Sequence, residues 1–479
     1  MTQRWIALVV LCLGDLMIVL DSTVVNVALP SIREDLGFSQ TALVWVVNAF
    51  MLTFGGFLLL GGRLGDLFGK RRLFLAGIVA FTLASLACGL AASQAVLVAA
   101  RAVQGLGGAV VSAVAMALIM DLFTEPSERA KAMGIFGFVM SGGGSIGVLL
   151  GGALTGALSW HWIFLVNLPV GAAVLALAVA LVPADRRGAR APLDVAGAAT
   201  VTVAMMLAVY AVVGGNEAGW GSLQTIGLLG LAAVLLLVFV RIEARVAAPL
   251  MPLRLFASRN VAVANVVGVL WAAAMFAWFF ISALYMQFVL RWTPMQVGLA
   301  FLPANLIMGA FSLGISAKMV MRYGIRGPLA AGLALAAAGL GLFAIAPVDG
   351  SFVAHVLPGM LLLGLGAGMA FNPVLLAAME GVDASDSGLA SGVVNTSFMM
   401  GGALGLAVLA SLAAARTDAL SAAGTEALAA ANGGYHAAFV VGAAFAAVAA
   451  VLGAVLLRES RPAARLELAP ETGTGGGRA

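Results

Sequence analysis

Charge is what this sequence has least of. Only 10% of its 479 residues are Asp, Glu, Lys or Arg, where a soluble globular chain carries roughly 25%. With 62% hydrophobic residues and a mean hydropathy of +1.09, the chain has too little polar surface to coat a globule in water, so it belongs in lipid. Cysteine is nearly absent. Cys12 and Cys88 both sit inside apolar runs, which excludes a disulfide framework or a thiolate metal cluster. The three histidines, His161, His355 and His436, are far apart, and no metal site is expected from them. His, Asp, Glu and Cys do not gather at catalytic spacing, so an intramembrane enzyme is excluded and no cofactor is implied. The net charge of +4 and pI near 9.4 suggest nucleic acid only until the basic residues are placed.

What is present is length of apolar run. A helix crossing the hydrocarbon needs about 20 mainly apolar residues, and fourteen such spans can be drawn. Six run near Ile6 to Leu29, Thr41 to Gly61, Leu73 to Ala92, Val96 to Asp121, Met133 to Leu158 and Trp162 to Val182. Two follow, near Leu193 to Gly214 and Leu223 to Val240. Six more run near Val261 to Val289, Gln296 to Ala317, Pro328 to Ala346, Phe352 to Ala378, Ser387 to Ala415 and Tyr435 to Leu457. The breaks are short and rich in Gly, Pro, Asp or Arg, which end helices and stay hydrated. The first span lacks a small-residue cleavage site and reads as a retained helix.

Cytoplasmic loops hold the excess of lysine and arginine. With an even span count, 21 of the 25 basic residues fall on the side of the termini, from Arg4 through Arg63, Lys70, Arg71 and Arg72 to Arg458, Arg461, Arg465 and Arg478. Only Arg33, Arg291 and Arg416 fall opposite, and Arg101 lies within a span. A missed span would scatter these charges over both sides, so the split supports the count. It predicts a multi-pass cell-membrane protein with both termini cytoplasmic, and it removes nucleic acid as a partner. The loop with Glu380, Asp383 and Asp386 carries no basic residue and reads as a solvated face or a helix N-terminal anion set.

Motifs then point to a family. Gly62-Arg-Leu-Gly-Asp66-Leu-Phe-Gly69-Lys-Arg71-Arg72, between spans two and three, resembles the signature cytoplasmic loop of the major facilitator superfamily. Its glycines allow a tight hairpin, Asp66 can face a helix N-terminus in the other half, and the cations hold the loop inside. A weaker echo, Lys318 to Arg326 around Gly324, lies at the matching place in the second half and lacks the aspartate. Four further stretches resemble the 14-span drug:proton antiporter branch, and the likeness covers nearly the whole chain. They are Leu20-Asp21-Ser-Thr-Val-Val-Asn26-Val-Ala-Leu-Pro30, Arg101-Ala-Val-Gln104-Gly105-Leu-Gly107-Gly108, a glycine ladder, and Trp160-His-Trp-Ile-Phe-Leu-Val-Asn167-Leu-Pro169-Val-Gly171. The ladder is Gly134, Gly143, Gly147, Gly151 and Gly152. Its four-residue steps place Gly143, Gly147 and Gly151 along one side of a helix, where another backbone can come close. The family proline after the third glycine is Val148 here, so that position gives no proline kink.

The resemblance implies an all-α integral membrane protein of the major facilitator fold. It would hold 14 transmembrane helices: an N-terminal bundle of six (1–184), a two-helix insert (185–255), a C-terminal bundle of six (256–460) and a disordered cytoplasmic tail (461–479). It implies export of lipophilic drugs or antibiotics in exchange for protons, by a monomer driven by the proton gradient. A proton-coupled exporter or importer of an endogenous metabolite is the alternative.

Away from span ends, the ionisable groups deep in the membrane are Asp15, Asp21 and Arg101. Each costs about 2.5 to 3.5 kcal/mol at a helix centre and so is expected to face the bundle interior and serve the pathway. Counting residues places Asp21 and Arg101 at one depth, about 8 to 12 Å below the outer surface, where they can pair. Asp15 lies nearer the midplane with no cation in view. Six residues from Asp21 it points about 120° away, so the two carboxylates do not share a site. Asp15 is read as proton carrier or substrate-cation contact, with Asp21 the other candidate carrier.

Cavity candidates are Asn26, Asn48, Gln104, Asn265, Gln287, Asn305, Asn372 and Asn395, each able to serve instead as an interhelical hydrogen bond. Span nine concentrates Trp271, Phe276, Trp278, Phe279, Phe280, Tyr285 and Met286, adaptable apolar surface that suits varied substrates, lipid contact or packing.

Overall fold

The computed structural model describes residues 3–183, 194–247, 249–380, 382 and 387–458. The tail 461–479, Asp383, Asp386, Arg186, Arg187, Arg190 and the side chain of Asp66 lie outside the described residues. The described chain is helical throughout. Helices α1 (Gln3–Leu36), α2 (Val44–Phe68), α3 (Lys70–Gly89), α4 (Gln94–Leu122), α5 (Pro126–Ala157), α6 (Trp162–Leu165) and α7 (Asn167–Leu181) come first. A hairpin of α8 (Val195–Ala218) and α9 (Leu223–Glu243) follows. Then come α10 (Arg259–Leu284), α11 (Pro294–Ala310), α12 (Ser316–Tyr323), α13 (Arg326–Phe343), α14 (Leu357–Met379), α15 (Ser387–Ala422) and α16 (Ala427–Leu456). Among the described residues, 12 helices are long and apolar enough to cross a membrane.

Several expected boundaries move. α1 continues through Pro30 to Leu36, because Leu29 and Ile32 still bury against the neighbouring helices. The sixth span divides at Val166 into α6 and α7. π-turns at Tyr285–Val289 and Phe311–Ile315 prolong α10 and α11, and Gly314 turns the chain with φ 119°. α16 begins at Ala427, eight residues before the expected start.

The signature loop is tighter than its motif suggests. Gly62 and Gly65 stay helical, and the break is Gly69 alone, with φ 98° and its N–H donating to the Gly65 carbonyl at 3.1 Å. A side chain at that φ is strained, so glycine is what lets α3 start at once.

Helix α1 packs on α5, α7 and α4, and α4 also packs on α2 and α3. α10 packs on α15, α16 and α14, while α13 lies between α14 and α16. The two groups meet where α5 lies on α11 and α2 on α15. α8 leans on α2 and α15 and carries α9 on its outer side. The aromatics of α10 serve this packing: Trp271, Trp278 and Phe280 are buried, as are Tyr285 and Met286 in the π-turn that follows.

Candidate functional site

Asp21 and Arg101 do meet. Arg101 Nη1 donates to Asp21 Oδ2, and both side chains are fully buried. The pair lies inside a larger polar knot. Gln104 Nε2 donates to Asp21 Oδ1 at 2.8 Å and Asn167 Nδ2 to the same oxygen at 2.9 Å. Ser85 Oγ accepts from Gln104 at 2.8 Å and from Asn167 at 3.3 Å, and donates to the Phe81 carbonyl at 2.9 Å. Arg101 also gives Nη1 to Gln104 Oε1 at 2.7 Å and Nε to the Val46 carbonyl at 2.9 Å. Its guanidinium lies 4.5 Å from the Phe50 ring centroid and 5.6 Å from that of Phe164, cation–π contacts that replace hydration. Side chains or backbone from α1, α2, α3, α4 and α7 thus converge on one compensated charge pair. A buried pair survives only when its remaining lone pairs and protons are satisfied, and here both Asp21 oxygens and the Arg101 Nε and Nη1 groups have partners.

Asp15 stands apart. It is wholly buried, Ser112 Oγ of α4 donates to its Oδ1, and its Oδ2 has no hydrogen-bond partner among the described residues. The two aspartates of α1 therefore have separate surroundings, as their helical phase requires. Asp21 is held by three donors, whereas Asp15 keeps one oxygen open.

The glycine ladder works as a double seam. A Cβ added at Gly143 would lie 2.7 Å from Leu16 Cδ1, one at Gly147 2.0 Å from Thr23 Oγ1, and one at Gly151 2.6 Å from the Val24 carbonyl. These three glycines let α5 lie against α1. Gly152 turns the other way, its added Cβ 2.7 Å from the Pro294 carbonyl of α11, and an added Cβ at Gly298 would stand 3.0 Å from the Val148 carbonyl. α5 is thereby pressed between α1 and α11.

Other candidates divide into contacts across the two groups and local bonds. Asn48 Nδ2 donates to the Ala403 carbonyl at 2.9 Å, and Gln287 Nε2 to the Val27 carbonyl at 2.8 Å. Beside the latter, Arg33 lies 4.9 Å from the Phe288 ring centroid. Asn26, Asn265 and Asn395 bond to carbonyls of their own helices. Asn305 is buried with Nδ2 unpartnered, and Asn372 is half-buried. At the signature segment Arg71 donates to the Val179 carbonyl and Lys70 pairs with Asp121 at 2.8 Å, so the motif's cations bind α7 and α4. Ser85 and Ser112 were not readable as site residues, since single serines are common in apolar helices. Asn167 stood inside a recognised motif, and that was its signal.

A family model described as Major Facilitator Superfamily matches residues 11–406. The puromycin resistance protein pur8 of Streptomyces alboniger is 40% identical over 478 residues, covering 98% of this chain and 94% of that protein. The cephamycin export protein CmcT of Amycolatopsis lactamdurans is 40% identical over 86% of this chain and 85% of its own. The multidrug resistance protein Stp of Mycobacterium tuberculosis is 38% identical over 84% and 74%. Among solved structures, an auto-inhibited peptide transporter of the POT family superposes with TM-score 0.67 at 16% identity, covering 96% of this chain and 98% of that one. That likeness concerns the fold. Together with the apolar helices, these matches make the chain a multi-pass membrane transporter that belongs to the Major Facilitator Superfamily.

Proposed function

We propose that this transporter exports lipophilic drugs or antibiotics from the cell in exchange for protons, by alternating access. The observation that carries the coupling is the contrast between the two aspartates of α1. Asp21 is neutralised by Arg101 and held by Gln104 and Asn167, so it serves as a structural joint that changes between states. Among the described residues Asp15 is buried without a cation and with one oxygen open, the arrangement a proton carrier needs. The named roles of relatives in puromycin resistance and cephamycin export support a drug-like substrate.

The same reading takes the chain as fourteen spans, with six-helix bundles 1–184 and 256–460, an insert 185–255 and both termini in the cytoplasm. Two features beyond the 12 apolar helices support this count. α5 is 32 residues long, and α11, its π-turn and α12 form one run from Pro294 to Tyr323. Protons and lipophilic small molecules are the partners, and no cofactor is required. Acid-loaded inside-out vesicles test the function. Addition of puromycin or a panel of lipophilic compounds is expected to release protons from wild-type vesicles and not from Asp15→Asn vesicles. Compound uptake with no proton movement would reduce the protein to a facilitator.

A further inference from the structure

Two carboxyls lie buried at the foot of the α8–α9 hairpin, far in sequence from the knot around Asp21. Asp194 is the N-cap of α8 and Glu243 the last residue of α9, and each is 3% exposed. Each gives one oxygen to backbone: the Gly197 N–H donates to Asp194 Oδ1 at 2.7 Å and the Met251 N–H to Glu243 Oε2 at 2.9 Å. The remaining oxygens, Asp194 Oδ2 and Glu243 Oε1, are buried and receive no donor. They converge on one spot. A Cβ added at Gly197 would lie 2.4 Å from Asp194 Oδ2 and 2.8 Å from Glu243 Oε1, so the two oxygens border the same small gap.

Two ionised carboxylates have only lone pairs to offer one another, and like charges in contact repel. A single proton between Oδ2 and Oε1 turns that repulsion into a charge-assisted hydrogen bond and satisfies both orphaned oxygens at once. Among the described residues no cation takes its place. Arg241 and Arg245 of α9 and Arg254 in the turn that follows are exposed, Arg63 of α2 is half-buried, and neither carboxyl forms an ion pair with a described cation. α15 carries its titratable groups, Arg416 and Asp418, toward its opposite end. We propose that Asp194 and Glu243 form a proton-binding site that latches the base of the α8–α9 hairpin onto α2. The place matters because Ala198 and Leu250 bury against Leu60 of α2, two residues before the signature segment that begins at Gly62.

Raising the pH removes the shared proton and leaves two negative charges in contact, so the latch holds at low pH and is lost as pH rises. The test uses the full-length protein in lipid nanodiscs, followed by thermal unfolding and by the infrared band of a protonated carboxyl. Wild type is expected to lose that band and several degrees of Tm together on alkalinisation. Glu243→Gln, whose amide donates to Asp194 Oδ2 with no proton, is expected to lack the band and keep a flat Tm. Matching band and Tm profiles in wild type and Glu243→Gln would overturn the proposal. So would a wild-type spectrum with no carboxyl band fading in step with Tm, which needs no variant to fold. Recovery of the high-pH Tm by added Na⁺ or Mg²⁺ alone would also overturn it, by assigning the gap to a metal cation.

Discussion

Truncating one member of the Asp21–Arg101 pair strands the other charge in a buried site. Breaking a buried pair in this way costs about 3 to 5 kcal/mol, so Arg101→Ala is expected to lower Tm sharply and abolish transport. Asp15→Asn is a different kind of change. Its amide oxygen still accepts from Ser112, so the variant is expected to fold with near-wild-type Tm, keep downhill substrate flux and lose accumulation against a gradient. Thermal unfolding and vesicle uptake measured on both variants separate the two roles. An Asp15→Asn protein that still concentrates substrate sinks the assignment of Asp15 as the carrier. The pairing of Asp21 with Arg101 was legible in the sequence because scarce charge and counted depth leave few partners. The knot around it was not, since Ser85 and Asn167 arrive from helices whose neighbours no local pattern specifies. Nor was the Asp194–Glu243 contact, because both residues sit at span ends, where acids ordinarily meet water.

At the scale of the helix, the ladder separates glycines that pack from glycines that do not. Gly147→Ala and Gly151→Ala would each drive a methyl toward the backbone of α1, where added Cβ atoms would stand 3.0 Å from the Leu20 carbonyl and 2.6 Å from the Val24 carbonyl. Overpacking of this kind costs about 1 to 3 kcal/mol, and reduced folded yield and transport are expected for both. Gly144→Ala and Gly156→Ala meet nothing within 4 Å and are expected to behave as wild type. Parallel fluorescence-detected size exclusion and uptake of the four variants checks the contrast, and equal behaviour would mean the seam tolerates separation. The four-residue steps of the ladder mark the face of α5 but not its two partners. That α5 also presses on α11 depends on Gly152 lying one residue beyond the stripe, and helical phase alone says only that it points elsewhere.

For the whole molecule, the loop charges carry an expectation of sidedness, whereas the contact between the two groups of helices had no signal in the sequence. Charge sorting acts on every loop, but an apolar helix surface is compatible with many neighbours. Here the contact includes Gln287 on the Val27 carbonyl, Arg33 on Phe288 and Gly152 against Pro294, all toward the ends of α1, α5, α10 and α11 that lie away from Arg4. If transport proceeds by one bundle rocking against the other, these contacts part in every cycle. The double variant Arg33→Cys/Phe288→Cys, bridged by a short bifunctional thiol reagent, is then expected to lose transport by at least about tenfold, a rigid-body motion having no detour around a covalent link. Each single-cysteine variant treated with the same reagent is expected to keep its activity. The native Cys12 and Cys88 are buried and offer the reagent little background. Full transport by the bridged protein would show that this face stays closed throughout the cycle. The opening would then have to be sought along α2 and α15, where Asn48 meets the Ala403 carbonyl and Thr396 the Gly55 carbonyl.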